Sequence, residues 1–235
     1  MKREYRRAHS PALGRDMEQL VFGDRGRPVV VFPTSMGRFY QWEDFGMIAH
    51  LRPRIDDGLL QLWCVDSVDG ESFYNKEAAG QERARRHAAY DRYLSGEVIP
   101  AIRTENGDRY LELLGASFGA FHAVALATRH PGIASRVIGL SGAFDAARWL
   151  DGSREDDAYF VNPLAFLPGL SDERQLKPLR ETEFVIATGV DDPNVAGSRQ
   201  IVDALQAKAV PAALHLWDGW AHDWPFWKEM VDTFL

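Results

Sequence analysis

The chain has 235 residues, of which 46% are hydrophobic and 26% are charged, and its formal net charge is −7. This is the composition of an ordinary globular protein, and the negative charge excludes a general attraction to nucleic acid or to an anionic membrane, so we expect neither as a partner. We also expect a cytoplasmic protein, because the sequence contains neither an apolar run of roughly 18 residues that could span a bilayer nor a stretch typical of a signal peptide.

Strand-length apolar runs alternate with helix-length segments in the first half of the chain. Glu4–Leu13 and Asp16–Phe22 read as a leading pair of strands, and the β-branched run Pro28–Phe32 predicts a buried central strand. A short helix is predicted over Gln41–Leu51 and a further strand over Leu59–Val65. A long amphipathic helix is predicted over Glu77–Glu105, with a kink or an end near Pro100.

The same alternation continues to the end of the chain. The predicted strands are Arg109–Leu114, Ser135–Ser141, Glu183–Gly189 and Ala212–Trp217, and the predicted helices are Ala120–Ala127, Asn194–Ala209 and Asp223–Leu235. Repeated strand–helix alternation favours an α/β protein with a mostly parallel sheet of about eight strands and helices on both faces. We expect one domain over residues 1–235.

The most informative motif is Gly115-Ala116-Ser117-Phe118-Gly119, which lies between a predicted strand and a predicted helix. A G-x-S-x-G pattern in this context predicts a nucleophile elbow, in which a tight turn projects the serine hydroxyl above the sheet. The two glycines fit because a side chain at either position would clash where strand and helix nearly touch. The pentapeptide alone is a weak signal, so the flanking elements carry the prediction of Ser117 as nucleophile.

A serine nucleophile needs a base, and the base needs an acid that orients it. After a nucleophile elbow, the acid comes next in the chain and the histidine base comes last. His222 lies in the loop between the last predicted strand and the last helix, whereas His130 lies at a helix end and His215 inside a strand. The acid should follow the penultimate strand. Asp192 is our first choice there, because Pro193 forces an extended backbone before it, and Asp191 is the alternative.

The oxyanion of a tetrahedral intermediate needs backbone N–H donors. One should come from Phe118, the residue after the nucleophile, and the other from the loop after the Pro28–Phe32 strand. Thr34 is our first choice in that loop and Ser35 the second. The hydroxyls of both residues could instead cap the turn.

These motifs, together with Phe32-Pro33-Thr34-Ser35-Met36-Gly37 and the segment Val65–Asn75, resemble the putative-esterase family of α/β-hydrolases. The resemblance covers about Pro11 to Leu235 and implies the α/β-hydrolase fold, a Ser117-Asp192-His222 triad, and Thr34 and Phe118 at the oxyanion positions. It implies a serine hydrolase that cleaves a small-molecule carboxylic ester or thioester through an acyl-enzyme. The alternatives are acyl transfer by the same triad and a non-catalytic binding protein on this fold.

No cofactor is expected, because the sequence has no metal-ligand spacing, no phosphate-binding glycine loop and no dinucleotide fingerprint. Candidate pocket residues are Ser35, Tyr40, Trp149 and Trp220. The alternation of strands and helices lapses over residues 144–179, and we expect this insertion to form a partial lid over Ser117. Its apolar residues could equally anchor it to the core or join two copies of the chain in a homo-oligomer.

Overall fold

The computed structural model describes residues 1–153 and 155–235, so residue 154 of the predicted insertion lies outside the description. A single sheet of eight strands runs through the described chain in the order β1-β2-β4-β3-β5-β6-β7-β8. Its strands are β1 (Arg3–Ser10), β2 (Arg15–Phe22), β3 (Arg27–Phe32), β4 (Leu60–Val65), β5 (Glu112–Ala116), β6 (Arg136–Leu140), β7 (Glu183–Gly189) and β8 (Ala212–Trp217). The pairs β1–β2 and β2–β4 are antiparallel and the remaining pairs are parallel, which confirms the predicted sheet.

The α-helices are α1 (Gln41–Asp44), α2 (Met47–Asp56), α3 (Gly80–Tyr93), α4 (Ile99–Asn106), α5 (Phe118–Arg129), α6 (Asp156–Phe160), α7 (Pro163–Phe166), α8 (Glu173–Leu179), α9 (Val195–Gln206) and α10 (Trp224–Phe234). Short 3₁₀ turns occupy Asp69–Glu71, Ala147–Trp149 and Leu167–Gly169.

Helices cover both faces of the sheet because the buried strands are apolar on both sides. On β3, Val30 and Phe32 join one core with α3, α4, α5 and α9, while Val29 and Val31 join a second core with α2 and α10. All four side chains are fully buried. An uninterrupted β-branched run is what a parallel strand buried on both faces requires.

Two of the predicted helices are divided. The segment predicted as one helix over Gln41–Leu51 forms α1 and α2, because Gly46 between them takes a left-handed φ of 73°. The predicted helix over Glu77–Glu105 forms α3 and α4, joined by a π-helical turn at Leu94–Val98. Pro100 follows that turn in the first turn of α4, where its missing N–H costs no helical hydrogen bond.

The sheet brings the candidate residues together at one edge. The strands β3, β5, β7 and β8 are parallel, so the loops that follow them leave the sheet on the same side. Sites in parallel α/β sheets form at this edge, outside the carboxyl ends of the strands.

Candidate active site

Ser117 occupies the tight turn between β5 and α5, and its φ of 54° is unusual for a residue with a side chain. The turn requires glycine on both sides. A Cβ atom on Gly115 would lie 2.1 Å from the backbone of Gly119, and one on Gly119 would lie 2.5 Å from the carbonyl oxygen of Pro33. The second contact also shows that the loop after β3 passes directly beside the serine turn.

The structure brings Ser117, His222 and Asp192 into one hydrogen-bonded chain. His222 Nε2 lies 3.1 Å from Ser117 Oγ, and His222 Nδ1 lies 2.9 Å from Asp192 Oδ2. His222 follows β8 in a loop that is held by Ser141. Ser141 Oγ donates to the carbonyl of Ala221, the residue before His222, and accepts from the indole N–H of Trp227. The imidazole therefore has a defined orientation between a hydroxyl and a carboxylate.

Asp192 is held as a carboxylate by three donors. Its side chain is fully buried, and besides His222 it accepts hydrogen bonds from the Thr188 hydroxyl and the Asn194 N–H. Burial raises the pKa of Asp192, but the hydrogen bonds from His222, Asn194 and Thr188 outweigh it and bring the pKa below its ordinary value. The neighbouring Asp191 is exposed, and its N–H donates to the carbonyl of Gly219.

The other two histidines considered as bases lie elsewhere. His130 Nε2 is 2.7 Å from Asp91 Oδ2 beyond the carboxyl end of α5, and His215 packs against Phe234. Since Ser117 precedes the opposite end of α5, a helix of 12 residues, His130 is separated from it by the length of the helix, roughly 18 Å.

The loop after β3, which passes beside the serine turn, contains four successive N–H groups, those of Thr34, Ser35, Met36 and Gly37. Those of Thr34, Met36 and Gly37 are engaged: Thr34 donates to Gln41 Oε1, Met36 to Asp69 Oδ2 and Gly37 to the carbonyl of Thr34. Within the described chain, the Ser35 N–H has no hydrogen-bond partner. An N–H that already donates to a side chain is not free to bind an oxyanion, so this geometry favours Ser35, the second choice from the sequence, over Thr34, the first choice.

The Gln41 and Asp69 contacts were missed by sequence reasoning. Gln41 also donates from Nε2 to the Thr34 hydroxyl, so it holds the residue at two points. Nothing in the sequence marks Gln41, which is one polar residue in a helix. Asp69 does carry a signal in the sequence, because it lies shortly after the carboxyl end of β4, where such sites form, but its partner Met36 follows only from the folded structure.

Of the candidate pocket residues, Trp149 and Ser35 are linked through Tyr74. The Trp149 ring lies 4.9 Å from that of Phe118 and 5.8 Å from that of Tyr74, and the Tyr74 hydroxyl donates to Ser35 Oγ. Trp220 is half exposed and its ring stacks at 5.6 Å on that of His222. Tyr40 is 40% exposed and packs edge-to-face against Phe39, and within the described chain it makes no hydrogen bond or aromatic contact with Ser117, Asp192 or His222.

The segment over residues 144–179 forms α6, α7, α8 and two 3₁₀ turns. Its first part lies beside the site, since Trp149 packs on Phe118. Three of its other apolar residues, Tyr159, Phe160 and Phe166, line a cavity with Thr128, Arg129 and His130, beyond the carboxyl end of α5. We therefore propose that only the part of this segment around Trp149 covers Ser117.

The sheet order, the strained serine turn and the positions of the following loops define an α/β-hydrolase. The chain belongs to the family described as "Putative esterase", which matches residues 12–233. It is a hydrolase of the carboxylesterase type. A comparison with curated protein sequences gives no significant match.

Several solved structures have a similar fold. The chain is similar to a ferulic acid esterase (TM-score 0.77, 16% identity, covering 100% of this chain and 96% of that one). It is also similar to an S-formylglutathione hydrolase from Agrobacterium tumefaciens (TM-score 0.76, 14% identity, covering 98% and 92%). A third is MPT51 from Mycobacterium tuberculosis (TM-score 0.65, 14% identity, covering 99% and 96%). In the described part of this chain, no helix is both long and apolar enough to cross a membrane.

Proposed function

We propose that the protein is a serine hydrolase that cleaves a carboxylic ester or thioester through an acyl-enzyme on Ser117. The observation that carries this proposal is the continuous chain from Ser117 Oγ to His222 Nε2, at 3.1 Å, and from His222 Nδ1 to Asp192 Oδ2, at 2.9 Å. In the first step, Ser117 Oγ attacks the substrate carbonyl carbon while His222 Nε2 takes the hydroxyl proton. Asp192 stays ionised and stabilises the imidazolium.

The tetrahedral intermediate then loses its leaving group. His222 returns the proton to the departing alcohol or thiol as the bond between the carbonyl carbon and the leaving group breaks, which leaves the acyl group on Ser117. A water molecule, deprotonated by His222, attacks the acyl carbon, and collapse of the second intermediate releases the acid and restores the serine hydroxyl. No step requires a cofactor.

We propose the N–H groups of Ser35 and Phe118 as the oxyanion donors. Phe118 begins α5, so its N–H has no acceptor within the helix. Ser35 supplies the one N–H of the 34–37 loop without a partner among the described residues. Removing one such donor typically costs 10²- to 10³-fold in kcat.

Hydrolysis is preferred over acyl transfer because the site is open to water. Trp220, which stacks on the base, is 50% exposed, and Met36, next to the proposed donor Ser35, is 55% exposed. An acyl-enzyme in such a site is accessible to solvent water. Adding short alcohols during turnover tests this point, since a transferase would convert most of the acyl groups to new esters.

Replacement of Ser117 tests the proposed function. Ser117→Ala should abolish turnover of p-nitrophenyl acetate and labelling by a fluorophosphonate probe. Ser95→Ala is the matched control, because that half-buried hydroxyl donates to the Asp91 carbonyl and lies outside the site. Wild-type turnover by Ser117→Ala would refute the proposal, and failure of the native protein to react with the probe would favour a non-catalytic binding protein.

A further inference from the structure

Outside the triad, a second histidine–carboxylate pair is buried behind the serine turn. His122 Nε2 lies 2.9 Å from Asp69 Oδ1, and the two side chains are 1% and 0% exposed. His87 Nε2 lies 3.3 Å from His122 Nδ1, and the planes of the two imidazoles are 12° apart. Three elements meet in this cluster: Asp69 lies in the 3₁₀ turn after β4, His87 on α3 and His122 on α5.

The donors in this cluster point towards the carboxylate. Burial holds the pKa of His87 well below its ordinary value, so this imidazole is neutral. His87 Nδ1 has no partner within the described chain, which suits an acceptor nitrogen and places the proton of His87 on Nε2. His87 then donates to His122 Nδ1, and His122 donates from Nε2 to Asp69.

Asp69 uses its other oxygen to hold the loop after β3. Asp69 Oδ2 accepts the Met36 N–H at 2.9 Å, and Met36 takes a left-handed φ of 59°. A non-glycine residue in this region is strained by roughly 1–2 kcal/mol, so the turn needs fixed contacts to persist. Met36 directly follows Ser35, so the hydrogen bond from the Met36 N–H to Asp69 fixes the peptide group next to the free Ser35 N–H.

The same carboxylate is tied to the helix that carries the other proposed donor. His122 lies four residues after Phe118 on α5, and the two rings are in edge-to-face contact at 4.8 Å. Asp69 thus contacts the 34–37 loop through one oxygen and α5 through the other. A single buried side chain joins the two chain segments that present the Ser35 and Phe118 N–H groups.

We infer that Asp69, oriented by His122, is a positioning residue that sets the spacing of the two oxyanion donors. This inference rests on the proposed function of Ser117. The pair is not a second catalytic dyad, because neither side chain is accessible to a substrate. Its effect should appear in the transition state, when charge develops on the carbonyl oxygen, and displacement of a donor by about 1 Å can cost roughly 10²-fold in rate.

Two replacements of Asp69 separate hydrogen-bond geometry from simple packing. Asp69→Ala removes the acceptor of the Met36 N–H and should lower kcat by roughly 10- to 100-fold, with KM changed less than about threefold. Asp69→Asn keeps an oxygen for Met36, and its amide can donate to His122 Nε2 once His122 and His87 both take their other tautomers, so that His122 Nδ1 donates to His87 Nε2. Asp69→Asn should therefore recover kcat to within about threefold of the native value.

The control is the pair at the other end of α5. Asp91 is also a buried carboxylate within hydrogen-bond distance of a histidine, His130, and it also forms an ion pair with Arg129. Asp91→Ala should lower the thermal midpoint but leave kcat per active site unchanged. All rates are divided by the fraction of sites titrated with the fluorophosphonate, so that partial unfolding does not count as lost catalysis.

A trifluoromethyl ketone, which forms a tetrahedral adduct with a serine nucleophile, gives a second measurement. Its inhibition constant should rise in Asp69→Ala by about the factor lost in kcat/KM. If Asp69→Ala folds too poorly for kinetics, His122→Phe takes its place, and its kcat should fall and its inhibition constant rise in the same way. Native kcat in Asp69→Ala, or equal losses in Asp69→Ala and Asp69→Asn, would overturn the inference. If instead Ser117→Ala keeps its activity, the proposed function fails first.

Discussion

Asp192 Oδ2 lies 2.9 Å from His222 Nδ1, and this carboxylate is buried, whereas the adjacent Asp191 is exposed. The two residues are consecutive in the chain, so one position in the loop distinguishes a buried carboxylate that contacts the imidazole from an exposed one. Pro193 follows Asp192 directly, and the Asn194 N–H donates back to the Asp192 carboxylate. The loop therefore fixes which of the two carboxylates reaches the imidazole.

The two aspartates should differ sharply on replacement. Asp192→Asn should lower kcat by roughly 10⁴-fold, because the imidazole loses its ionised partner and its correct tautomer. Asp191→Asn, the matched control, should stay within about threefold of the native rate. Steady-state kinetics on p-nitrophenyl acetate measure both, and the reverse order of effects would move the acid to Asp191.

The lowered pKa of Asp192 also predicts a pH dependence of stability. A carboxyl whose pKa is depressed by folding stabilises the folded state at pH values above its unfolded pKa, about 3.9, and loses that contribution as pH falls through the folded pKa. Urea unfolding of the native protein and of Asp192→Asn should give a difference in unfolding free energy that shrinks as the pH falls below about 4. A difference that grew as the pH fell below about 4 would contradict the assignment.

The close packing at the serine turn predicts that Gly115 cannot be replaced. The Cβ atom of Gly115→Ala would lie 2.1 Å from the Gly119 backbone, so the turn must move. We expect a loss of about 3 kcal/mol or more in unfolding free energy and loss of fluorophosphonate labelling. Gly96→Ala is the control, because nothing lies within 4 Å of its Cβ, and an unaffected Gly115→Ala would refute the geometry of the turn.

Trp149 should influence the choice of acyl group. Its ring packs on Phe118 next to the nucleophile, so Trp149→Ala should raise kcat/KM for hexanoyl over acetyl esters by roughly tenfold. Phe160→Ala should leave that ratio unchanged, because Phe160 lines the cavity beyond the far end of α5. Competition between the two esters, followed by product analysis, measures the ratio directly. Equal ratios in the two variants would show that Trp149 has only a packing role.

Much of the fold could be predicted from the sequence, because the spacing of the apolar residues and the types of residue in each segment indicate the same helices and strands. The run Pro28–Phe32 is apolar at every position, which only a strand buried on both faces tolerates, and β3 lies in the middle of the sheet. The break between α1 and α2 was missed, since apolar residues continue across Gly46 and its left-handed φ depends on the surrounding packing. The pattern of apolar residues does not show that Gly46 adopts this conformation and separates the two helices.

The candidate site likewise contains residues that the sequence predicts and others that depend on tertiary contacts. Ser117, Asp192 and His222 follow from the order of motifs and the ends of strands, which sequence reasoning can use. The free N–H of the loop after β3 does not, because its identity depends on which neighbours the Gln41 and Asp69 side chains reach after folding. Thr34 and Ser35 look equivalent in the sequence, and only tertiary hydrogen bonds distinguish them.

Backbone strain is concentrated where the chemistry is proposed to occur. In the described residues, six non-glycine positions have positive φ, and four of them, Met36, Ser117, Ser141 and Ala221, lie in the serine turn or in segments packed around it. Each is less stable than an ordinary conformation by roughly 1–3 kcal/mol. A search for stabilising substitutions would therefore select glycine at these positions first, including the nucleophile itself. Thermostability and activity should oppose each other in this protein, and variants selected for heat resistance alone should lose their hydrolase activity.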